Sequence, residues 1–205
     1  AATYYTGFKV NSGEYKMMGL APYGEPRFAK LMLDHLIDLK PDGSFRLDMS
    51  YFDYCTGLTM TNDKFARLFG QKVRDPSELL TPFHMDIAAS IQAVTEEAML
   101  RLARATARDT GMSNLCLAGG VALNCVANGK ILRNGAFKDI WIQPASGDAG
   151  GAVGAALAAW HLFLGNDRQA DGRRDIMRGG YLGPEYAQTE IERRLTAAGA
   201  RFAVL

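Results

Sequence analysis

The apolar positions divide the chain into a first part of short, punctuated elements and a second part in which strands and helices alternate. Residues 3–24 form an apolar, glycine-interrupted stretch that closes on the turn signal Ala21-Pro22-Tyr23-Gly24. A short helix is predicted over 28–39, with Pro26 near its start and the Pro41-Asp42-Gly43 turn behind it. Alternation over 44–54 predicts one or two short strands. Thr61 or Asn62 then suits the N-cap of a short helix running through Phe69.

The most regular pattern predicts a long helix over 82–109. Thr81 suits its N-cap and Pro82 its first helical position. Phe83, Ile87, Ile91, Val94, Ala98, Leu102 and Ala105 recur at helical spacing as one apolar stripe, and Gly111 closes the element. Two strand-turn-helix units follow. The first has a strand over 114–118, the turn Gly119-Gly120 and a helix over 121–133. The second has a strand over 139–143, the turn Ser146-Gly147-Asp148 and a small-residue helix over 149–164. Such alternation indicates an α/β layer architecture. Residues 166–178 are polar, lack an apolar period and read as a linker; 179–205 open a new unit, with a helix over 188–198 and a final apolar strand.

Composition changes this picture little. The chain has 205 residues, 48% apolar and 22% charged, with a formal net charge of +1. That is enough length for a full core and no global field to draw in nucleic acid or anionic membrane. The longest weakly polar stretch, 150–165, contains His161 and is too short for a membrane span. Cys55, Cys116 and Cys125 are widely spaced without a CxxC pair, arguing against a zinc ribbon or a disulfide framework and for a reducing cytoplasm. The sequence has no secretory signal and no initiator Met, and reads as a stretch of a larger protein.

Chemistry is expected at the two turns, because ligands in open α/β folds collect beyond the carboxyl ends of strands. Paired glycines let backbone approach a ligand, and the N–H groups at the following helix start attract phosphate. At Gly119-Gly120, Asn124 and Asn128 fall on one helix face. They could hydrogen-bond a ribose, a phosphate or a carbamoyl group, or simply cap the helix and face water. At Gly147 and Gly151, Asp148 stands between strand and helix, where it could cap the helix or bind a divalent metal. Gly150, Gly151 and Gly154 could equally serve close packing of that helix. Near the start, Glu14 could accept ribose hydroxyls and Lys16 neutralise phosphate, or the two could be a surface charge pair.

Three segments extend these readings: 14–24 (EYKMMGLAPYG), 118–125 (AGGVALNC) and 143–156 (QPASGDAGGAVGAA). Together they resemble the NodU/CmcH family, the O-carbamoyltransferases of nodulation-factor, cephamycin and aminoglycoside biosynthesis. The resemblance runs from about Tyr4 to Leu205, nearly the whole chain, in long motifs that keep their order. It implies the second half of an actin-like ATPase (ribonuclease H-like) domain over 1–165, akin to the tRNA threonylcarbamoyl-transfer enzymes. It also implies the start of a YrdC-like domain at 179. The implied chemistry makes carbamoyl-adenylate from carbamoyl phosphate and ATP, then passes the carbamoyl group to a hydroxyl of a sugar or antibiotic acceptor. A divalent metal, iron, is implied as well, with Asp148 matching its aspartate ligand. The paired histidines of that site have no match here, and His35, His84 and His161 read as structural or surface residues.

The resemblance therefore assigns nucleotide binding to Gly119, Gly120, Asn124, Asn128, Gly147, Gly151, Glu14 and Lys16, and catalysis with metal binding to Asp148. Expected partners are the small-molecule acceptor and, as an option, a second copy of the chain; nucleic acid and membrane are not expected. Turnover by this stretch alone is not expected either. A sugar or acid kinase of the same fold and a tRNA threonylcarbamoyl transferase are the alternatives. The near-neutral charge speaks against the latter, because a tRNA partner needs a basic face.

Overall fold

The computed structural model describes residues 1–169, 172, 175, 177–181 and 183–204. Two compact units emerge, Ala1–Gly147 and Asp148–Leu205. The first is mixed α/β and begins with α1 (Ala2–Tyr5), α2 (Glu14–Leu20) and a 3-10 turn (Ala21–Tyr23). Then come α3 (Ala29–His35), the strands β1 (Ile37–Leu39) and β2 (Phe45–Leu47), a 3-10 turn (Met49–Tyr51) and α4 (Asp63–Phe69). The long α5 (Pro82–Thr110) leads into β3 (Asn114–Leu117), a 3-10 turn (Gly120–Leu123), α6 (Cys125–Asn134) and β4 (Asp139–Ile142).

The helix predicted over 28–39 is shorter than its pattern. Its last residues, Ile37–Leu39, pair antiparallel with Phe45–Leu47, because the glycine turn at Gly43 folds the chain back within reach of strand hydrogen bonds. Likewise only Phe45–Leu47 of the segment 44–54 is a strand; Asp48 accepts a hydrogen bond from Ser50 N and tightens Met49–Tyr51 into a 3-10 turn. Asn62, not Thr61, caps α4, accepting from Lys64 N and Phe65 N, and Gly70 ends the helix in the left-handed region.

Helix α5 carries the unit. Thr81 and His84 form a reciprocal capping box, Pro82 takes the first position, and Gly111 closes the helix at φ 63°. Its first half holds an aromatic core around Tyr5, Met32, Leu36, Phe65, Phe69, Ile87 and Val94. Its second half meets a separate cluster of Ala103, Ile131 and Phe137, flanked by Leu115, Leu117 and Ile140 from the sheet. The predicted single stripe breaks at Leu102, which is 44% exposed. Two different surfaces cover the helix, and its buried face turns between them: Arg101 donates to Leu39 O at 3.1 Å while Ala103 faces the sheet.

The N-terminal segment is fastened by directional bonds. Tyr5 Oη donates to Gln71 O at 2.6 Å, and the buried Arg74 donates through Nε to Thr6 O at 2.6 Å. The Ala21-Pro22-Tyr23-Gly24 turn lies on α5. A Cβ built at Gly24 would stand 2.2 Å from the Met85 carbonyl, so no larger residue fits without movement. Glu25 N donates to Asp86 Oδ1 at 2.8 Å and Phe28 N to Ser90 Oγ at 3.0 Å, extending the seam.

The second unit comprises α7 (Gly150–Ala158), which continues as a π-helical turn (Ala159–Phe163), a 3-10 turn (Arg178–Gly180) and α8 (Gln188–Ala197). The final strand is absent at 201–204, which carry no ladder bonds; Leu205 lies outside the described residues. The linker expected over 166–178 and the domain start expected at 179 include residues 170, 171, 173, 174, 176 and 182, which also lie outside them. Among the described residues, no helix is long and apolar enough to cross a membrane. All three cysteines are free and exposed.

Candidate functional site

β3 and β4 run parallel, with Asn114 opposite Asp139 and Leu117 opposite Ile142. Their carboxyl ends therefore lie side by side, and the chain segments leaving them meet. Gly119 N donates to Ser146 O at 2.7 Å, tying the first turn to the second. The Leu123 side chain lies 3.5 Å from where a Cβ would stand on Gly147. Gly119, Gly120, Asn124, Asn128 and Gly147 are thus one neighbourhood of the first unit.

Gly119 sits at φ 105°, a conformation that an L-residue with a side chain reaches only with strain. It opens the 3-10 turn Gly120–Leu123, whose leading N–H groups have no acceptor within the turn. Among the described residues, no heavy atom of the first unit comes within 4 Å of a Cβ built at Gly119 or Gly120, so this face of the turn is open within that unit. The sequence predicted one helix over 121–133; the structure breaks it at Asn124 (φ −76°, ψ 88°), leaving a 3-10 turn before α6.

Asn124 is the N-cap of α6, accepting from Ala127 N at 3.1 Å. Its amide is also paired reciprocally with Gln92 of α5. Asn124 Nδ2 donates to Gln92 Oε1 at 2.9 Å, and Gln92 Nε2 donates to Asn124 Oδ1 at 3.1 Å. Gln92 Nε2 further donates to Glu96 Oε1 at 2.9 Å, while Lys130 Nζ of α6 pairs with Glu96 Oε2. Asn128 is buried beneath the turn and donates through Nδ2 to Ala122 O at 2.7 Å. Among the described residues, the buried Asn128 Oδ1 and Ser146 Oγ have no hydrogen-bond partner. Gln92, Glu96, Lys130 and Ser146 were not singled out from the sequence. A signal existed for two of them, since Gln92 and Glu96 are polar residues four apart and so share one face of the helix.

Asp148 is exposed and opens the second unit, where its carbonyl accepts from Gly151 N at 3.3 Å. Glu14 and Lys16 stand on exposed faces of α2. Glu14 Oε1 accepts from Asn11 N at 3.1 Å and Lys16 Nζ lies 5.9 Å from the Tyr15 ring centre. No hydrogen bond or ion pair links either residue to the glycine turns among the described residues.

The donor set can be weighed against the groups that the resemblance implies. Open glycine faces and leading N–H groups fit an anionic, hydrogen-bonding ligand such as a nucleotide phosphate, whereas the buried Asn128 Oδ1 can only accept and adds nothing to an anion site. A metal is different. Among the described residues, no three His, Cys, Asp or Glu side chains gather closely enough to hold an ion, and a lone carboxylate does not make a site. This chain's residues do not by themselves fit the metal. The histidines are engaged otherwise: His84 Nδ1 in the α5 capping box, and His161 Nδ1 at 2.8 Å from Asn166 O.

Comparison with known proteins bears on the same residues. The family profile described as the carbamoyltransferase N-terminus matches residues 1–157. An uncharacterized protein of Synechocystis is 65% identical over 94% of the chain. Nodulation protein NolO of Bradyrhizobium diazoefficiens is 38% identical over 87% of the chain, and nodulation protein NolNO of Sinorhizobium fredii 36% identical over 93%. The chain spans 31%, 30% and 26% of the lengths of these three relatives, respectively.

Proposed function

The chain belongs to the carbamoyltransferase family, and from that premise we propose that it is part of an ATP-dependent O-carbamoyltransferase of actin-like fold. The observation that supports this best is the joining of two strand ends by the Gly119–Ser146 hydrogen bond, beside an open turn whose first glycine has a positive φ. In this reading the turn receives the phosphate of carbamoyl-adenylate, itself made from carbamoyl phosphate and ATP. Gly120 and Val121 offer it backbone N–H groups, Gly119 and Gly147 keep the approach free of side chains, and Asn128 supports the turn from below.

The acceptor's hydroxyl oxygen forms a bond to the carbamoyl carbon, the bond from that carbon to the phosphate oxygen breaks, and AMP leaves with the electron pair. The hydroxyl proton passes to solvent or to a base outside these residues. Donors aimed at the carbamoyl oxygen as it becomes anionic would each contribute about 3 kcal/mol. Asp148, Gly151, Glu14 and Lys16 remain assigned as the resemblance has them. A divalent ion, iron, would be a Lewis acid held by Asp148 with ligands from elsewhere in the protein, and none of these steps depends on it. The nodulation names of the relatives favour a sugar-like acceptor of the nodulation-factor or antibiotic type. A YrdC-like domain from residue 179, a cytoplasmic location, a homodimer and the lack of a nucleic-acid partner belong to the same proposal.

The test uses the full-length protein with ATP labelled in the adenine, carbamoyl phosphate and a panel of sugar acceptors. AMP with a carbamoylated product is expected; ADP with a phosphorylated product would make the protein a kinase instead. Gly120→Val should abolish transfer while leaving the protein folded, because its Cβ projects into open space and Gly120 has no positive φ. Asp148→Ala in the full-length protein should lower bound metal, and undiminished metal content would end that assignment.

A further inference from the structure

Gln92, Glu96 and Lys130 form a polar chain between α5 and α6 that ends on the side chain of Asn124. Glu96 is 7% exposed, yet both its oxygens are engaged, one by Gln92 and one by Lys130. Such an arrangement is costly. Two amides and a carboxylate lose solvent, and an apolar contact between the helices would hold them at least as well. What polar groups add is direction.

Here the direction is specific. The reciprocal amide pair fixes the plane of the Asn124 side chain. Asn124 Oδ1 then has its second acceptance filled by Ala127 N, which starts α6. The backbone of the same residue ends the 3-10 turn, its N–H bonded to Val121 O at 2.9 Å, while Asn128 N reaches back to Asn124 O at 3.0 Å. Asn124 is therefore the pivot between the open glycine turn and the helix. With three of its side-chain bonds satisfied by protein, it has little capacity left for a ligand.

We propose that Gln92 is a positioning residue: clamped by Glu96 and Lys130, it locks Asn124 and thereby holds the Gly119–Leu123 turn in its ligand-receiving geometry. Asn124 acts on the ligand through the turn's backbone rather than through its own amide. This rests on the reading of that turn as the nucleotide site, and the test separates the two.

Two measurements on the full-length protein decide it. The first is amide hydrogen exchange in Gln92→Met, which keeps side-chain length and removes both amide bonds. The turn amides of Ala122 and Asn124 should exchange about tenfold faster, as expected for losing roughly 1.4 kcal/mol of neutral hydrogen bonding. The Lys40 amide, bonded to Ser44 O at 2.8 Å in the distant hairpin, should change only with global stability. Equal acceleration at both places would make Gln92 an ordinary packing residue and overturn the proposal.

The second measurement is ATP affinity by calorimetry, expected to fall about tenfold in Gln92→Met at a temperature where the variant is fully folded, again one neutral hydrogen-bond equivalent. Unchanged affinity alongside wild-type ATP binding would also overturn it. If the wild-type protein does not bind ATP, the nucleotide reading fails, and hydrogen exchange alone decides the positioning role. Should Gln92→Met not fold, Asn124→Ser carries the test: serine is uncharged and can still accept at the N-cap of α6, but it is too short to make the amide pair with Gln92.

Discussion

The two halves of α5 are held by different physics. Around its first half, Tyr5, Phe28, Phe65, Phe69 and Phe83 pack ring against ring, with Tyr5 and Phe65 4.9 Å apart edge to face. Around its second half the buried apolar cluster is small, Ala103, Ile131 and Phe137 with small alanines nearby, and Val121, Leu123 and Trp141 are exposed. Hydrogen bonds fasten both regions, Glu25 N to Asp86 and Phe28 N to Ser90 beside the aromatic core, Gln92 to Asn124, Glu96 to Lys130 and Gly119 to Ser146 towards α6 and the strand ends, but beside the smaller cluster they carry a larger share of the holding. Aromatic burial is strong but indifferent to small rotations, whereas hydrogen bonds fail when a donor moves by an ångström. The candidate site lies beside the smaller cluster, where less area is buried and the bonds between elements set the angles.

The largest expected effect tests that contrast directly. Phe65 is 2% exposed and touches several rings, so Phe65→Ala should cost about 3–5 kcal/mol in denaturant unfolding. Ile131, 1% exposed in the smaller cluster, has partly buried neighbours that can collapse into the space, and Ile131→Ala should cost nearer about 2 kcal/mol. Equal costs would erase the difference between the two regions. Next in size is Gly24→Ala, whose methyl would press on the Met85 backbone; about 3 kcal/mol is expected, since main chain cannot yield as a side chain does. The loss should appear with the turn amides of the other region still protected in hydrogen exchange.

How much of this was legible in the sequence depended on how local its cause was. The cap at Thr81, the glycine stop at Gly111 and the two strands β3 and β4 follow from neighbouring residues and were found in the pattern of the sequence, which narrowed the α4 cap to Thr61 or Asn62 and left the pairing of the strands unstated. The end of α3 was not legible, because Ile37 to Leu39 suits a helix until β2 returns alongside. The glycine turns were visible as candidates, and their junction through Gly119 and Ser146 matches the expectation that strand ends converge. The part played by Asn124 was legible only halfway. Its cap is a local matter, but its bond to Gln92 spans 32 positions and no spacing rule anticipates it. The motif around Gly24 also carries two meanings in sequence, and the structure shows that its glycine is required by contact with α5.

Ionisation offers gentler probes of the aromatic region. Tyr5 is fully buried, and burial pushes its phenol up to about 12 despite the hydrogen bond to Gln71 O, which acts the other way. The folded state therefore holds this proton more tightly than the unfolded chain, where a tyrosine titrates near ~10. The associated stability is complete below about pH 10 and is lost as pH rises through about 12. Roughly 2 kcal/mol should disappear across that window, two units at about 1.4 kcal/mol each being the upper bound. Tyr5→Phe, which cannot ionise, should remove this part of the alkaline loss when unfolding free energy is measured from pH 9 to 12.

The smallest expected effect comes from His84, at the start of the same helix. Burial, and secondarily the Arg74 guanidinium, lower its imidazole below the ordinary value, with Glu78 opposing them. The folded state thus favours the neutral ring, which meets Thr81 N and Oγ1 through Nδ1. Its contribution is present above the unfolded value near ~6.5 and is lost as pH falls through the lowered folded value. Melting temperature should accordingly drop between pH 7 and 5, and His84→Gln should flatten that drop, because glutamine at this position can keep the capping box without a titrating ring. An equally steep drop in the variant would mean that acid acts elsewhere, leaving the first half of α5 held by its aromatic packing without help from the cap.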